Sequence, residues 1–145
     1  MARVEIELPE SFLFETEIPV RIGDVNYGGH LGNDAVLSIA HEARVRFLAS
    51  HGLTELDAGG PGIVLTDAAV VYRAEGRWGM RLAVAIAAAD VRTRGLDLLY
   101  RMSDAATGAE IARVKTGVLF FDYRTRRVVS MPPAFRAVLG AARER

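Results

Sequence analysis

The chain contains no cysteine among its 145 residues, which excludes disulfide bonds, thiolate zinc sites and a cysteine nucleophile. It also has no excess of either charge, because Lys plus Arg and Asp plus Glu each number 18. This balance does not favour nucleic acid or an anionic membrane as the main partner. Glu5, Glu7 and Glu10 interrupt the segment where a signal peptide needs an apolar run, and no apolar stretch reaches the roughly 20 residues of a membrane helix. We therefore expect a cytoplasmic protein.

Half of the residues are hydrophobic, and a chain of this length can bury the core of one domain, which we expect to span residues 1–145. Alternating apolar residues from 12 to 22 predict a half-buried strand, and Pro19 favours an edge position for it. A long helix is predicted over residues 35–49, with apolar side chains on more than one side. Four more strands are predicted at 63–72, 81–91, 96–102 and 111–123, followed by a short helix over 131–139. One long helix against five antiparallel strands indicates an α+β fold in which the sheet curves around the helix.

The most distinctive segment is residues 23–33, Gly-Asp-Val-Asn-Tyr-Gly-Gly-His-Leu-Gly-Asn, which precedes the long helix. Four glycines and two asparagines in eleven residues predict an irregular turn. Gly32 or Asn33 is the expected N-cap, with Asp34 in the first helical turn. The first N–H groups of a helix have no partner within the helix, so they are available to polarise a substrate carbonyl. Equally, the glycines could serve only the tight turn.

Several residues are candidates for proton transfer at this turn. Histidine exchanges protons readily near neutral pH, so His30 is one candidate, although it could instead fix the turn by a hydrogen bond. Asp24 is a candidate base or a turn-capping carboxylate. Asn26 could orient water as a neutral donor. Glu42 lies on the helix, where an ion pair with Arg46 is the simpler interpretation.

Asp67 is a further candidate because it stands in an otherwise apolar strand, where an acid needs a partner. We expect this strand to lie beside the helix and to aim Asp67 at the helix N-terminus; a solvent-facing position or a structural hydrogen bond is the alternative. The three histidines, His30, His41 and His51, do not have the spacing of metal ligands, so no metal is predicted.

The turn and the helix together resemble the hotdog-fold acyl-CoA thioesterases, specifically the 4-hydroxybenzoyl-CoA thioesterase group. Members carry Asp-x-Asp-x-x-Gly-His-Val-Asn-Asn before the helix, and this chain has Asp24-Val-Asn26-Tyr-Gly-Gly29-His30-Leu-Gly32-Asn33. Their helix carries Glu-Ala-Arg-x-x-Phe-Leu, which matches residues 42–48. Residues 71–73 before Gly79, and residues 120–122, resemble later passages of the family. The resemblance covers nearly the whole chain and implies a curved antiparallel sheet wrapped around one central helix.

The chain departs from the family at the catalytic position. In the aromatic acyl-CoA thioesterases of this group the second Asp of the motif is the catalytic carboxylate, and it aligns with Asn26. An amide does not ionise, so Asn26 cannot act as a base or nucleophile. The carboxylate would then come from Asp24, Asp67 or Glu42, or be absent. Plant acyl-carrier-protein thioesterases also keep a histidine at the position of His30.

The resemblance implies an acyl-CoA thioesterase that hydrolyses a small aromatic or a short- or medium-chain acyl-CoA, with coenzyme A as part of the substrate and no other cofactor. A non-hydrolytic acyl-CoA or acyl-carrier binding protein is the alternative, given Asn26. A hotdog dehydratase or hydratase is a third interpretation, but it requires a histidine paired with an acid in a different helix context. Sites in this family form between subunits, which implies a homodimer or homotetramer.

The expected substrate contacts fall into three groups. The start of the helix, at Gly32, Asn33 and Asp34, would bind the thioester carbonyl. Aromatic side chains would line the acyl pocket, with Tyr27, Phe47, Tyr72 and Trp78 as candidates. Basic residues of the later strands would contact the phosphates of CoA, and these are Arg92, Arg94, Arg113 and Lys115.

Overall fold

The computed structural model describes residues 3–143. Its elements are β1 (Phe14–Pro19), a 3-10 turn (Ile22–Asp24), α1 (Asn33–Ala49), β2 (Gly62–Tyr72), β3 (Arg81–Ala89), β4 (Gly95–Asp104), β5 (Glu110–Asp122), β6 (Arg127–Val128) and α2 (Pro133–Arg143). The sheet is antiparallel throughout, in the order β1-β3-β4-β5-β2, with β6 beside β5. The predicted α+β arrangement of one long helix against an antiparallel sheet is confirmed.

Helix α1 packs on the inner face of the sheet through apolar residues spaced three and four apart. Val36, Ile39, Ala43 and Phe47 are all buried there, together with the inward side chains of β3, β4 and β5. Full burial of a large apolar side chain contributes about 1.5–3 kcal/mol, so this stripe fixes α1 on the sheet. Outside this stripe, Leu48 is buried while Leu37 and Val45 stay exposed. The apolar side chains predicted off the main stripe are therefore only partly covered in a single chain.

The two faces of the sheet follow the alternation of side chains along each strand. On β5, the inward residues are buried: Ala112, Val114, Thr116, Val118 and Phe120. Lys115 and Gly117 point to the outer face. Because Asp67 of β2 pairs with Gly117 across the ladder, it also lies on the outer face. A bulge between Leu65 and Asp67 changes the register of β2 at this point.

The N-terminal segment crosses the outer face of the sheet before β1. Ile6 is buried there in a small apolar cluster with Ala87 and Leu99. The guanidinium of Arg113 donates to the backbone oxygen of Ile6 at 2.8 Å, which fastens the segment to β5. Apolar and polar contacts thus cover part of the outer face with the chain's own N-terminal residues.

Three elements of the structure differ from the prediction. The first strand is shorter than predicted, because the chain leaves the ladder after Pro19 and turns at Ile22–Asp24, where the Asp24 carboxylate accepts the N–H of Arg21. Its edge position is confirmed. The two-residue strand β6 was not predicted, because two residues carry no period. The last helix begins at Pro133 and continues to Arg143, beyond the predicted end.

Candidate active site

The turn before α1 is a small hairpin-like loop built around Asn26. Val25 and Leu31 form an antiparallel bridge, and the Asn26 N–H donates to the His30 backbone oxygen at 2.9 Å. The Asn26 side-chain oxygen accepts the N–H groups of Gly28 at 3.0 Å and His30 at 3.3 Å. Asn26 therefore organises the turn with its oxygen, while its NH₂ group has no partner among residues 3–143 and stays available to donate.

Asp24 holds the base of the turn. Its backbone oxygen accepts the N–H of Gly32 at 2.9 Å. Its carboxylate is 7% exposed and accepts from the N–H of Arg21 at 2.9 Å and from the Arg21 guanidinium at 3.3 Å. This hydrogen bond with Asp24 raises the pKa of Arg21. A buried carboxylate that is already bonded in this way fits the turn-capping interpretation of Asp24 rather than the role of a free base.

The start of α1 has the unpaired donors that the sequence predicts. Gly32 is the N-cap, and its oxygen accepts the Val36 N–H at 3.3 Å. The next three N–H groups, of Asn33, Asp34 and Ala35, have no acceptor in the described part of the chain. A Cβ at Gly32 would lie 2.8 Å from the Asp34 carboxylate, so a side chain here would displace that carboxylate.

The structure places Glu75 beside His30, a residue for which the sequence offered no signal. Glu75 lies in the loop between β2 and β3, and its Oε2 is 3.2 Å from the His30 Nδ1. Nδ1 is shielded from solvent and lacks a well-aligned hydrogen bond. The loop is fixed against the turn because the Leu31 N–H donates to the Gly76 oxygen at 2.9 Å, and a Cβ at Gly76 would lie 2.9 Å from Leu31.

Aromatic side chains lie at the surface around the helix start. The Tyr72 hydroxyl donates to the Asn33 oxygen at 3.3 Å, and Tyr27 and Trp78 are exposed. Phe47, in contrast, is 0% exposed. The prediction that Phe47 lines a pocket was wrong, because it lies on the core-facing stripe of α1.

Asp67 does not point toward the start of α1. Its carboxylate pairs with the Lys115 ammonium and accepts from the Thr66 hydroxyl at 2.8 Å on the outer face of the sheet. The hydrogen bond from Lys115 lowers the pKa of Asp67 and raises that of Lys115. A Cβ at Gly117 would lie 2.0 Å from the Asp67 carboxylate, so glycine makes room for this pair. The expectation that β2 aims Asp67 at the helix N-terminus was wrong, because the side chain and α1 occupy opposite faces.

Glu42 is paired as the sequence suggested. Its carboxylate accepts from the Arg46 guanidinium at 2.8 Å, and Arg46 also donates to the Glu17 backbone oxygen at 2.9 Å. Glu42 and Asp24 line a surface pocket of about 310 Å³ between α1 and the end of β1. The ion pair confirms the structural interpretation of Glu42 without testing a catalytic one.

The four basic residues expected to contact phosphates do not form one patch; they are Arg92, Arg94, Arg113 and Lys115. Arg92 and Lys115 share Asp97, at 3.7 and 3.8 Å. Arg113 pairs with Glu110 at 2.5 Å in a separate group. Arg94 makes no ion pair within residues 3–143. Most of this positive charge is thus already matched by carboxylates of the same chain.

A second polar network lies under the middle of α1. The Arg44 side chain is 5% exposed and donates to Glu55 at 2.9 Å and to the Tyr100 hydroxyl at 3.1 Å. The Tyr100 hydroxyl is 2.8 Å from the Thr116 hydroxyl, and His41 is 2.6 Å from Glu55. Burial raises the pKa of Glu55, but the hydrogen bonds from Arg44 and His41 outweigh it and lower that pKa overall. Every member of this network has a partner.

Two further observations concern a metal site and a membrane span. In the described range, 3–143, no group of three or more His, Asp and Glu side chains is arranged to hold a metal ion. Neither α1 nor α2 is long and apolar enough to cross a membrane.

The family model of the thioesterase-like superfamily matches residues 20–139, which include the turn, α1 and all of β2 to β5. The chain belongs to this superfamily. No curated protein matches it significantly. Membership covers the whole candidate site, from Asp24 to Glu75.

Solved structures show the same fold. The 1,4-dihydroxy-2-naphthoyl-CoA thioesterase of Synechocystis matches with a TM-score of 0.79 and 22% identity, over 88% of this chain and 95% of that one. The PA5185 protein of Pseudomonas aeruginosa matches with a TM-score of 0.82 and 19% identity, over 92% and 93%. The TT1821 protein of Thermus thermophilus matches with a TM-score of 0.78 and 24% identity, over 92% and 99%. The predicted hotdog fold, with its curved antiparallel sheet around a central helix, is confirmed.

Proposed function

We propose that this protein is an acyl-CoA thioesterase that acts on a small aromatic or a short- or medium-chain acyl-CoA. The observation that carries the proposal is the start of α1, where three N–H groups are unpaired directly after the turn that holds Asn26 and His30. Donors fixed at the position of developing negative charge supply a large share of the stabilisation in acyl transfer. Membership of the thioesterase-like superfamily supports this reaction class.

The proposed reaction uses these groups in sequence. The thioester oxygen accepts from the N–H groups of Asn33 and Asp34, which polarises the carbonyl. A water molecule, positioned by the Asn26 NH₂ group, attacks the carbonyl carbon while His30 takes its proton. The tetrahedral intermediate then collapses, the carbon–sulfur bond breaks, and the CoA thiolate takes the proton from His30. The products are a carboxylic acid and free CoA.

The exposed aromatic residues support the proposed acyl group. Tyr72 is anchored at the first residue of α1, and Trp78 lies in the same loop as Glu75. Flat apolar surfaces next to the carbonyl site suit an aromatic or a short aliphatic acyl group. The Synechocystis protein of similar fold is named for an aromatic acyl-CoA substrate.

We also propose that the protein is at least a homodimer, through the free edge of β2. This strand ends the sheet, so its outer N–H and C=O groups have no ladder partner in the described chain. Leu65 and Tyr72 of β2 are 45% and 51% exposed, and Leu37 and Val45 of α1 are exposed as well. A second copy pairing along β2 would satisfy the free backbone groups of this edge. Sedimentation equilibrium tests this assembly, and a monomer at micromolar concentration would contradict it.

The test of the function is a panel of acyl-CoAs with aromatic, short and medium acyl groups, assayed for release of free thiol. The proposal expects turnover of at least one of them, and binding of each substrate is measured in parallel by calorimetry. Binding without thiol release would favour the non-hydrolytic alternative. Loss of the double bond from an enoyl-CoA, without thiol release, would favour the hydratase.

A further inference from the structure

The proposed site needs a group that orients His30, and the motif itself does not supply one. Asn26 cannot ionise, and its oxygen is occupied by two backbone N–H groups. Asp24 is buried and bonded to Arg21, and Asp67 lies on the opposite face of the sheet. Among residues 3–143, the carboxylate within 4 Å of the His30 ring nitrogens is that of Glu75.

We propose that Glu75 is the positioning residue of this site and acts by holding the His30 imidazole through Nδ1. This inference rests on the proposed thioesterase function. A carboxylate that accepts the proton on Nδ1 leaves Nε2 without a proton, so Nε2 is the atom that takes one from water. Glu75 thus supplies a carboxylate to a site whose motif has Asn26 at the family's catalytic position. It acts through the histidine instead of directly on water or substrate.

The geometry around Glu75 suits this role. The loop that carries it is fixed to the turn by the hydrogen bond between Leu31 and Gly76, one residue away. Gly76 also packs closely on Leu31, since a Cβ at this position would lie 2.9 Å from the Leu31 side chain. Nδ1 is shielded from solvent with a carboxylate oxygen at 3.2 Å, so a small rotation of either side chain completes the hydrogen bond.

The proton transfers of this reaction need no reactant other than water and the thioester. Nε2 accepts a proton from water as the water oxygen bonds to the thioester carbon. The imidazolium is then stabilised by the Glu75 carboxylate while the carbon–sulfur bond breaks. The departing thiolate takes the proton from Nε2, which returns His30 to its starting form with the remaining proton on Nδ1.

The kinetic test compares Glu75→Gln with the wild-type protein. We expect kcat to fall about 10- to 100-fold, as for a disturbed general base, while KM changes little. Glu75→Asp keeps the carboxylate and should recover part of the loss. Glu15→Gln is the matched control, because it removes an exposed glutamate from β1, away from the turn. Its kcat should equal that of the wild type.

A double-mutant cycle separates action through His30 from a general effect of charge. If Glu75 acts through His30, then His30→Ala with Glu75→Gln is no slower than His30→Ala alone. Additive losses, or an unchanged kcat in Glu75→Gln, would overturn the proposal.

A spectroscopic readout keeps this inference separate from the thioesterase proposal. In protein labelled with ¹⁵N-histidine, the His30 ring signals, assigned with His30→Ala, should show the neutral ring protonated on Nδ1. Glu75→Gln should lose that preference, and Glu15→Gln should keep it. If the wild type releases no thiol but shows this tautomer, the thioesterase proposal fails while the Glu75–His30 contact stands. A ring protonated on Nε2 in the wild type would contradict the role of Glu75 whatever the activity.

Discussion

Helix α1 carries two polar regions that differ in how completely their groups are paired. At its start, three backbone N–H groups, the Asn26 NH₂ group and one His30 ring nitrogen lack well-formed hydrogen bonds. At its middle, Arg44 and its partners are hydrogen-bonded to one another. Asn26, Asn33 and Asp34 are exposed, so their donors are accessible to a ligand, whereas Arg44 is buried with its donors already paired. We therefore expect substrate chemistry at the start of α1 and a contribution to fold stability at its middle.

The largest expected effect on kcat comes from removing His30, which precedes the start of α1. His30→Ala should lower kcat about 100-fold or more, because proton transfer by a positioned side chain contributes roughly that factor. The ring is 43% exposed, so the melting temperature should stay close to that of the wild type. Thiol release and circular dichroism check the two quantities on one sample. An active His30→Ala protein would remove the histidine from the proposed mechanism.

At the fully paired network around Arg44, we expect a substitution to lower stability and to leave kcat unchanged. Glu55→Ala leaves the buried Arg44 guanidinium without its carboxylate and should destabilise the fold by about 2 kcal/mol. The kcat of the folded fraction should not change, since Glu55 follows the end of α1 and contacts His41 and Arg44, away from the turn at the helix start. Urea unfolding gives the free energy, and a loss of kcat without loss of stability would contradict a purely structural role for Glu55.

The pH dependence of stability provides a second test of the Glu55 ion pair. Because the folded pKa of Glu55 is below its ordinary value of 4.5, its ion pair contributes stability above that pH. The contribution is lost as the pH falls from 4.5 toward the lower folded pKa. Glu55→Gln should therefore show a shallower loss of unfolding free energy over that window. Equal slopes for the two proteins in urea unfolding at several pH values would show that the ion pair is not formed.

The smallest effect is expected at the outer-face pair of Asp67 and Lys115. Exposed ion pairs contribute little, so Asp67→Asn should change kcat and KM by no more than about twofold. Lys115→Gln is the companion variant and should behave alike. A large loss of turnover in Asp67→Asn alone would restore Asp67 as a catalytic candidate, supplied to the site of a second subunit.

Much of the fold was predictable because its signals are local. Glycines and asparagines marked the turn, spacing marked α1, and Pro19 marked an edge strand; all three follow from backbone constraints within a few residues. The sequence could not fix which face of β2 carries Asp67, because the bulge at Thr66 changes the register and the phase of side chains with it.

The candidate site was predictable only where one segment builds it. Asn26, His30 and Gly32 lie in the same turn, so sequence order alone brings them together. Glu75 reaches His30 across a separation of 45 positions, through a loop that has no motif of its own. Glu55 is likewise joined to Arg44 by tertiary packing. Contacts of this kind depend on how loops close over the sheet, which no local pattern encodes.

The start of α1 is proposed to bind the thioester carbonyl. A crystal structure with an acyl-CoA analogue, in which a methylene group replaces the thioester sulfur, would show whether it does. We expect the ketone oxygen at about 3 Å from the N–H groups of Asn33 and Asp34, with His30 facing the carbonyl carbon. A ketone bound on the outer face near Lys115, with the start of α1 empty, would contradict it.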